Sequence, residues 1–360
     1  MRKFKFVLIL AVVSFLTIGI YTLFIRSIEE SEFVVETVKG NPKQPAVRSV
    51  HAEMYDLGLK DTDYNVGLDG RVQKTSDNLI TDLFSSPYDE EGAPADFRRF
   101  IRLDSVATLE QEGITYGLGI QDDSKWELQY WDAGKKRVVK KIFPAPAESR
   151  KLGEIQLDPY RYIDNNLYVY AQDYQTNSET LLYKIELKNE TIQNIDLPYT
   201  ADKNIQILAI ADEKIVYQSE ENTAMPDEIK RRTYLKDGKN VQSLKELDSI
   251  NINQTELSTD GTKLIMLEND SDQSSWIVFD LASKKLEQHK MAAPKLNEAD
   301  SGLSRFIELK NGLIYTANRT DDGVINVLVI DPISKRVLYE GNIKDKLKRK
   351  ETSLNSLILD

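Results

Sequence analysis

The chain has 360 residues, 41% of them hydrophobic, and a formal net charge of -11 at pH 7. That is enough apolar material to bury one large core or two moderate ones, so most of the chain is expected to fold. With no cysteine, disulfides, thiolate metal centres and a lipid-modified N-terminal cysteine are excluded; with only His51 and His289, no histidine-based centre and no cofactor are expected.

Residues Phe6 to Ile25 are apolar or small throughout, FVLILAVVSFLTIGIYTLFI. As a helix they would span about 30 Å, the thickness of a bilayer core. Arg26, Ser27, Ile28 and Glu29 follow with no small-x-small cleavage site, so a retained anchor is expected rather than a cleaved signal. Arg2, Lys3 and Lys5 precede the segment and Glu29, Glu30 and Glu32 follow Arg26, which keeps the N-terminus cytoplasmic. The expected organisation is a cytoplasmic end over 1–5, a single-pass anchor over 6–25, a stalk over 26–50 and an extracytoplasmic domain over 51–360, at a bacterial cell surface. The acidic balance argues against nucleic acid and polyanionic sugars as partners, because both would be repelled.

The stalk reading rests on charge and on Pro42 and Pro45 in NPKQP. His51 to Lys74 contains two weakly alternating runs, HAEMYDLGL and YNVGLDGRVQ, which read as strands of a partial repeat. Asp61 to Gly67 begins like a calcium loop, but its glycine is one place late and Val72 stands where a bidentate glutamate is needed. Thr75 to Asp104, with SSPYDEEGAPADFRR, reads as a surface insertion.

From Ser105 onward one grammar recurs about every 50 residues: a tight turn, an apolar strand, a polar loop, a second apolar strand ending near an acid, a turn, and a further strand. The strands after the first turns start at Ile114, Leu167, Ile215, Leu264 and Leu313, and the clearest copy is LSTDGTKLIMLENDSDQSSWIVFDLASKKLEQHKM, Leu257 to Met291. Four short strands in one such unit make an antiparallel sheet that cannot bury both faces alone, and sheets of this size stack radially. The copy at Leu257, with its Asp260-Gly261 turn before a basic residue and an apolar strand, resembles the WD40-like repeat of the TolB type; Thr259 stands where that pattern has proline. The resemblance implies a β-propeller and carries no function with it. With Ser353 to Leu359 supplying a missing strand to the His51–Lys74 repeat, an all-β propeller of about six four-stranded blades is expected, with five or seven as alternatives and an open sandwich pair as the rival fold.

Candidate chemistry is sparse. Acidic pairs at Asp122-Asp123, Asp270 with Asp272 and Asp321-Asp322 read first as solvated hairpin tips. Neither histidine lies near a nucleophile elbow, so a Ser-His-Asp relay has no support. Tyrosines crowd one repeat (Tyr160, Tyr162, Tyr168, Tyr170, Tyr174, Tyr183), after Trp126, Tyr130 and Trp131 in the preceding one. The i, i+2 spacing of Tyr160 with Tyr162 puts both on one strand face, which suits blade packing as well as an aromatic binding patch. Between KIVYQS and RTYLKD lies EENTAMPDEIKR, longer than a hairpin needs, which makes Met225, Asp227 and Arg231 binding candidates beside Tyr160, Tyr162 and Tyr174.

The function expected from sequence is a non-catalytic binding or sensing scaffold for a protein or cell-envelope ligand, held by its membrane helix and working with a membrane signalling partner. The alternative is a carboxylate-dependent hydrolase or lyase of propeller type. The sequons at Asn189, Asn253 and Asn318 matter only where glycosylation occurs.

Overall fold

The computed structural model describes residues 33–56, 62–76, 93–103, 105–111, 113–122, 124–149, 155–173, 180–198, 204–211, 213–222, 229–250, 252–269, 274–291, 305–320, 322–346 and 352–359. The apolar segment 6–25 lies outside these residues. Among those described, no helix is long and apolar enough to cross a membrane.

Among the described residues six antiparallel sheets carry the fold. Two compact units contain them: Met1–Asp82 with Ala292–Asp360, and Leu83–Met291. In the second unit the chain lays down four sheets in succession, each in simple strand order. These are β5 (Val106–Gln111), β6 (Ile114–Asp122), β7 (Lys125–Asp132) and β8 (Arg137–Pro144); then β9 (Ile155–Ile163), β10 (Asn166–Asp173), β11 (Thr180–Glu186) and β12 (Thr191–Ile195). Next come β13 (Asn204–Ala211), β14 (Lys214–Asn222), β15 (Ile229–Asp237) and β16 (Asn240–Ser243), and finally β17 (Ile252–Leu257), β18 (Lys263–Asn269), β19 (Ser274–Asp280) and β20 (Leu286–Lys290). The five strands that the repeat places after its first turns are β6, β10, β14, β18 and, in the other unit, β22 (Leu313–Arg319). The turns before β10 and β22 have consecutive positive φ angles, 48° and 65° at Asp164-Asn165 and 54° and 74° at Asn311-Gly312, the two-residue geometry that matches strand twist.

The other unit holds both ends of the described chain. Its first sheet runs β25-β2-β3-β4, where β2 is Val50–Asp56, β3 Thr62–Gly67, β4 Val72–Ser76 and β25 Thr352–Leu359. The C-terminal strand therefore completes the N-terminal repeat, pairing Val50 with Leu359 through to Asp56 with Thr352. The last sheet has five strands in the order β1-β24-β23-β22-β21, with β1 at Phe33–Gly40, β21 at Arg305–Lys310, β23 at Ile325–Asp331 and β24 at Arg336–Asp345.

That fifth strand corrects the stalk expected over 26–50. FVVETVKG is rich in β-branched residues, and the ladder pairs it with β24 from Phe33–Asp345 to Gly40–Tyr339. Phe33 is buried and meets the Tyr64 ring edge-on at 5.0 Å. A helical turn, α1 (Pro45–Arg48), then leads into β2.

The insertion expected over 75–104 also differs where it is described. Residues Ala95–Ile101 form a helix, α2, with Phe97 fully buried beside Ala93 and Trp131. Gly117 on β6 makes the docking possible, since a Cβ there would stand 2.9 Å from Ile101 and 3.0 Å from Phe100. Between the second and third sheets the core is aromatic and aliphatic, with Trp126 edge-on to Tyr183 at 5.1 Å.

Candidate functional site

The first strands of three consecutive sheets, β9, β13 and β17, each carry a one-residue register shift. The extra residues are Tyr160, Leu208 and Asn253, and a bulge removes its residue from the ladder and re-aims it. At Leu208 the freed carbonyl accepts a hydrogen bond from the Tyr160 hydroxyl at 3.4 Å and another from the Thr255 hydroxyl. One residue earlier the Ile207 N–H donates to the Tyr170 hydroxyl at 3.0 Å. Tyr160 and Tyr170 meet edge-on at 5.4 Å. Beside them Arg161 and Glu256 form an ion pair at 3.6 Å.

The bulge overturns the expected pairing of Tyr160 with Tyr162 on one face. Strict alternation would put them together; the extra residue at Tyr160 turns them apart. Tyr160 packs with Tyr168, Tyr170 and Ile207 toward the fourth sheet, whereas Tyr162 packs with Tyr116 on the other side, the rings 5.1 Å apart. The Tyr162 backbone is also clamped by Gln111, which donates to its carbonyl at 2.8 Å and accepts from its N–H at 2.9 Å. Tyr168 and Tyr183 are buried in the same cores. The described tyrosines of this crowd thus supply packing between sheets.

Burial holds the Tyr160 phenol above its usual range, aided by the Glu256 charge and opposed by Arg161; burial likewise raises Tyr170. Both stay neutral hydroxyls. Asp158 is an exposed carboxylate opposite Tyr170 in the ladder, and the partial loss of its hydration raises its pKa. Sequence reading missed Asp158, Arg161 and Glu256, because only the bulges bring these strands' side chains together.

Arg231 belongs to a hairpin rather than a loop. β14 and β15 stay in register out to Asn222–Ile229, so both ends of the stretch expected as a loop over 220–231 are ladder, and 223–228 lie outside the described residues. Arg231 lies opposite Glu220 and donates to it at 2.9 Å. Tyr174, Met225 and Asp227 lie outside the described residues. So do Asp123, Asp270, Asp272 and Asp321; Asp322 accepts from the Thr320 hydroxyl within its own turn.

Both histidines sit against structural neighbours. His289 stacks on Trp276 at 5.2 Å, and His51 approaches Gly67 closely enough that a Cβ there would lie 3.2 Å from its Nδ1. Among the described residues no three His, Asp or Glu side chains gather as a metal centre. One second-sheet acid, Glu127, is buried: desolvation pushes its pKa up, but Lys140 at 2.6 Å and Gln129 at 2.6 Å outweigh that and hold it below the usual carboxylate range. Of the sequons, Asn318 is buried in β22 and Asn189 bonds Glu186 in a turn.

Six consecutive antiparallel sheets, with the last strand of the chain completing the first sheet, define an all-β protein of propeller-like fold. No family model matches the chain, and no curated protein matches its sequence. Among solved structures it is similar to TolB from Acinetobacter baumannii, at 11% identity and TM-score 0.37, over 86% of this chain and 66% of that one. It is similar to the β-propeller domain of the Trilobed protease from Pyrococcus furiosus, at 10% identity and TM-score 0.45, over 83% and 93%. A third likeness is to an uncharacterised protein of Listeria monocytogenes, at 10% identity and TM-score 0.39, over 86% and 82%.

Proposed function

We propose that the chain is a membrane-anchored, extracytoplasmic recognition scaffold that binds a protein or cell-envelope ligand without transforming it and passes the signal to a membrane partner. One observation carries the reading: side chains of the second to fifth sheets bond from one sheet to the backbone of its neighbour. The Tyr160 hydroxyl goes to the Leu208 carbonyl, Gln111 to the Tyr162 backbone, and Lys141 to the Leu187 carbonyl at 2.6 Å. A frame so stitched suits a rigid platform whose variable ends do the recognising. The anchor is argued from the uninterrupted apolar run Phe6 to Ile25 and its basic N-terminal flank.

Asp158 favours a second reading, a carboxylate-dependent hydrolase or lyase with Asp158 as the acid, because this exposed carboxylate stands opposite Tyr170 beside the bulge at Tyr160. Two measurements separate the readings. Photocrosslinking from position 230 in intact cells should capture a discrete envelope neighbour, and the chain should sediment with membranes until residues 1–32 are removed. A soluble full chain, or hydrolysis of envelope material that Asp158→Asn abolishes, would overturn the scaffold reading.

A further inference from the structure

Among the described residues, no strand covers the outer edge of the fourth sheet beyond Tyr234. β16 pairs with β15 only from Tyr234–Ser243 to Asp237–Asn240, while β15 begins at Ile229 and stays paired with β14 on its other side. The outer chain leaves at Thr233, whose N–H donates to the Asp248 carboxylate at 2.7 Å and whose carbonyl accepts from the Leu244 N–H at 2.8 Å. Thr233 therefore turns both backbone groups away from β14. In a regular strand, residues two apart face the same side, so Arg231 and Ile229 do the same. Among the described residues no strand meets them.

Charge marks this edge. Lys230 and Arg232 are exposed and, being two apart, stand on one face of the sheet, with Glu221 and Ser219 of β14 as their ladder partners, while Arg231 occupies the other face with Glu220. The chain as a whole carries a net charge of -11. Here Lys230, Arg231 and Arg232 stand in the ladder against two acids, Glu220 and Glu221, which leaves a local balance of 3 − 2 = +1 in an acidic chain and favours an acidic segment at this edge.

We infer that the outer edge of Ile229–Arg232 is a docking edge for an extended acidic peptide segment, which adds to the fourth sheet as a strand with its carboxylates two residues apart over Lys230 and Arg232. Backbone bonds to Arg231 and Ile229 supply affinity, and the carboxylate spacing supplies choice. The inference rests on the recognition reading and gives it a partner chemistry.

The test uses the full chain in detergent micelles and labelled peptides of about ten residues, alternating Glu–Thr and alternating Lys–Thr, followed by fluorescence anisotropy. The Glu–Thr peptide is expected to bind and the Lys–Thr peptide not to. Arg231→Pro removes the outward N–H without touching the ladder to β14 and should weaken binding about tenfold or more; Arg231→Ala, which loses the same side chain but keeps the N–H, should weaken it less than about threefold. Equal binding by the two variants, or by a peptide with its glutamates three residues apart, would reduce the edge to a nonspecific cationic patch and overturn the inference. So would the absence of binding, which would leave the lysine and arginines as guards against strand pairing. Should Arg231→Pro fail to fold, as read by its circular dichroism, the doubly substituted Lys230→Glu, Arg232→Glu chain decides: its peptide preference must reverse. An envelope neighbour captured equally well by that double variant would sink the edge while leaving the scaffold standing.

Discussion

Asp260 sets the chemistry of its turn. Its Oδ1 accepts from the Ser258 hydroxyl at 2.6 Å, from the Thr262 N–H at 3.0 Å and from the Thr262 hydroxyl at 2.8 Å, while Gly261 takes a φ of 62°. These donors, Ser258 first, lower its pKa to about 2. The same device recurs where third strands end: Asp280 accepts from the Ser283 N–H at 2.8 Å, and Asp331 from the Ile333 and Ser334 N–H groups. Because the folded Asp260 titrates below its ordinary value of 3.8, its stabilisation is complete above that pH and disappears as pH falls toward 2. The difference in urea midpoint between wild type and Asp260→Asn should stay constant from neutrality to about pH 5 and close between about pH 4 and 2. A difference unchanged at pH 2 would show that geometry, not charge, supplies the effect. In the turn after Asp280, Lys284 holds a φ of 58°, a left-handed conformation that costs a side chain energy. Its N–H bond to the Asp280 carbonyl survives substitution, so Lys284→Gly should raise unfolding stability by up to about 1 kcal/mol in urea titration.

Strands were more legible than what interrupts them. Ile114, Leu167, Ile215, Leu264 and Leu313 all fall within second strands because a tight turn fixes where a ladder begins. The face occupied by Tyr160 was not legible, since a bulge adds a residue without any mark in composition. The hairpin around Arg231 was hidden for another reason: EENTAMPDEIKR lacks apolar alternation, yet its cross-strand Glu220–Arg231 pair extends the ladder into a polar sequence. In the insertion, turn formers masked a helical signal that was present, Phe97, Phe100 and Ile101 at i, i+3 and i+4. That helix depends on one glycine. Gly117→Val would place a branched side chain where even a Cβ comes within 3.0 Å of Phe100 and Ile101. The expected outcome is undocking of α2 with the sheet intact: amide exchange over Ala95–Ile101 accelerates while protection of β6 and β7 persists. Uniform loss of protection would mean that α2 is integral to the second sheet's core.

At the scale of the molecule, the period and the pairing of β25 with β2 were readable because they rest on backbone ladders, whereas a functional site rests on side chains that the repeats do not share. Two strands from opposite ends of the sequence enter the same unit, and their weights differ. β25 buries Leu354, Leu357 and Leu359, and the Leu359 carbonyl receives Lys310. β1 buries Phe33 alone and is otherwise half-buried or exposed. At about 1.5–3 kcal/mol for each fully buried large apolar side chain, losing three leucines removes an amount comparable to the whole stability of an ordinary domain, about 5–15 kcal/mol, while losing Phe33 does not. Loss of β25 also bares the edge of β2, an invitation to intermolecular pairing. Deleting residues 352–360 should therefore abolish a cooperative thermal transition and give aggregates on size exclusion, whereas deleting 1–40 should keep the transition and lower its midpoint. The opposite ranking would require the β1–β24 ladder, and not the C-terminal leucines, to hold this unit closed.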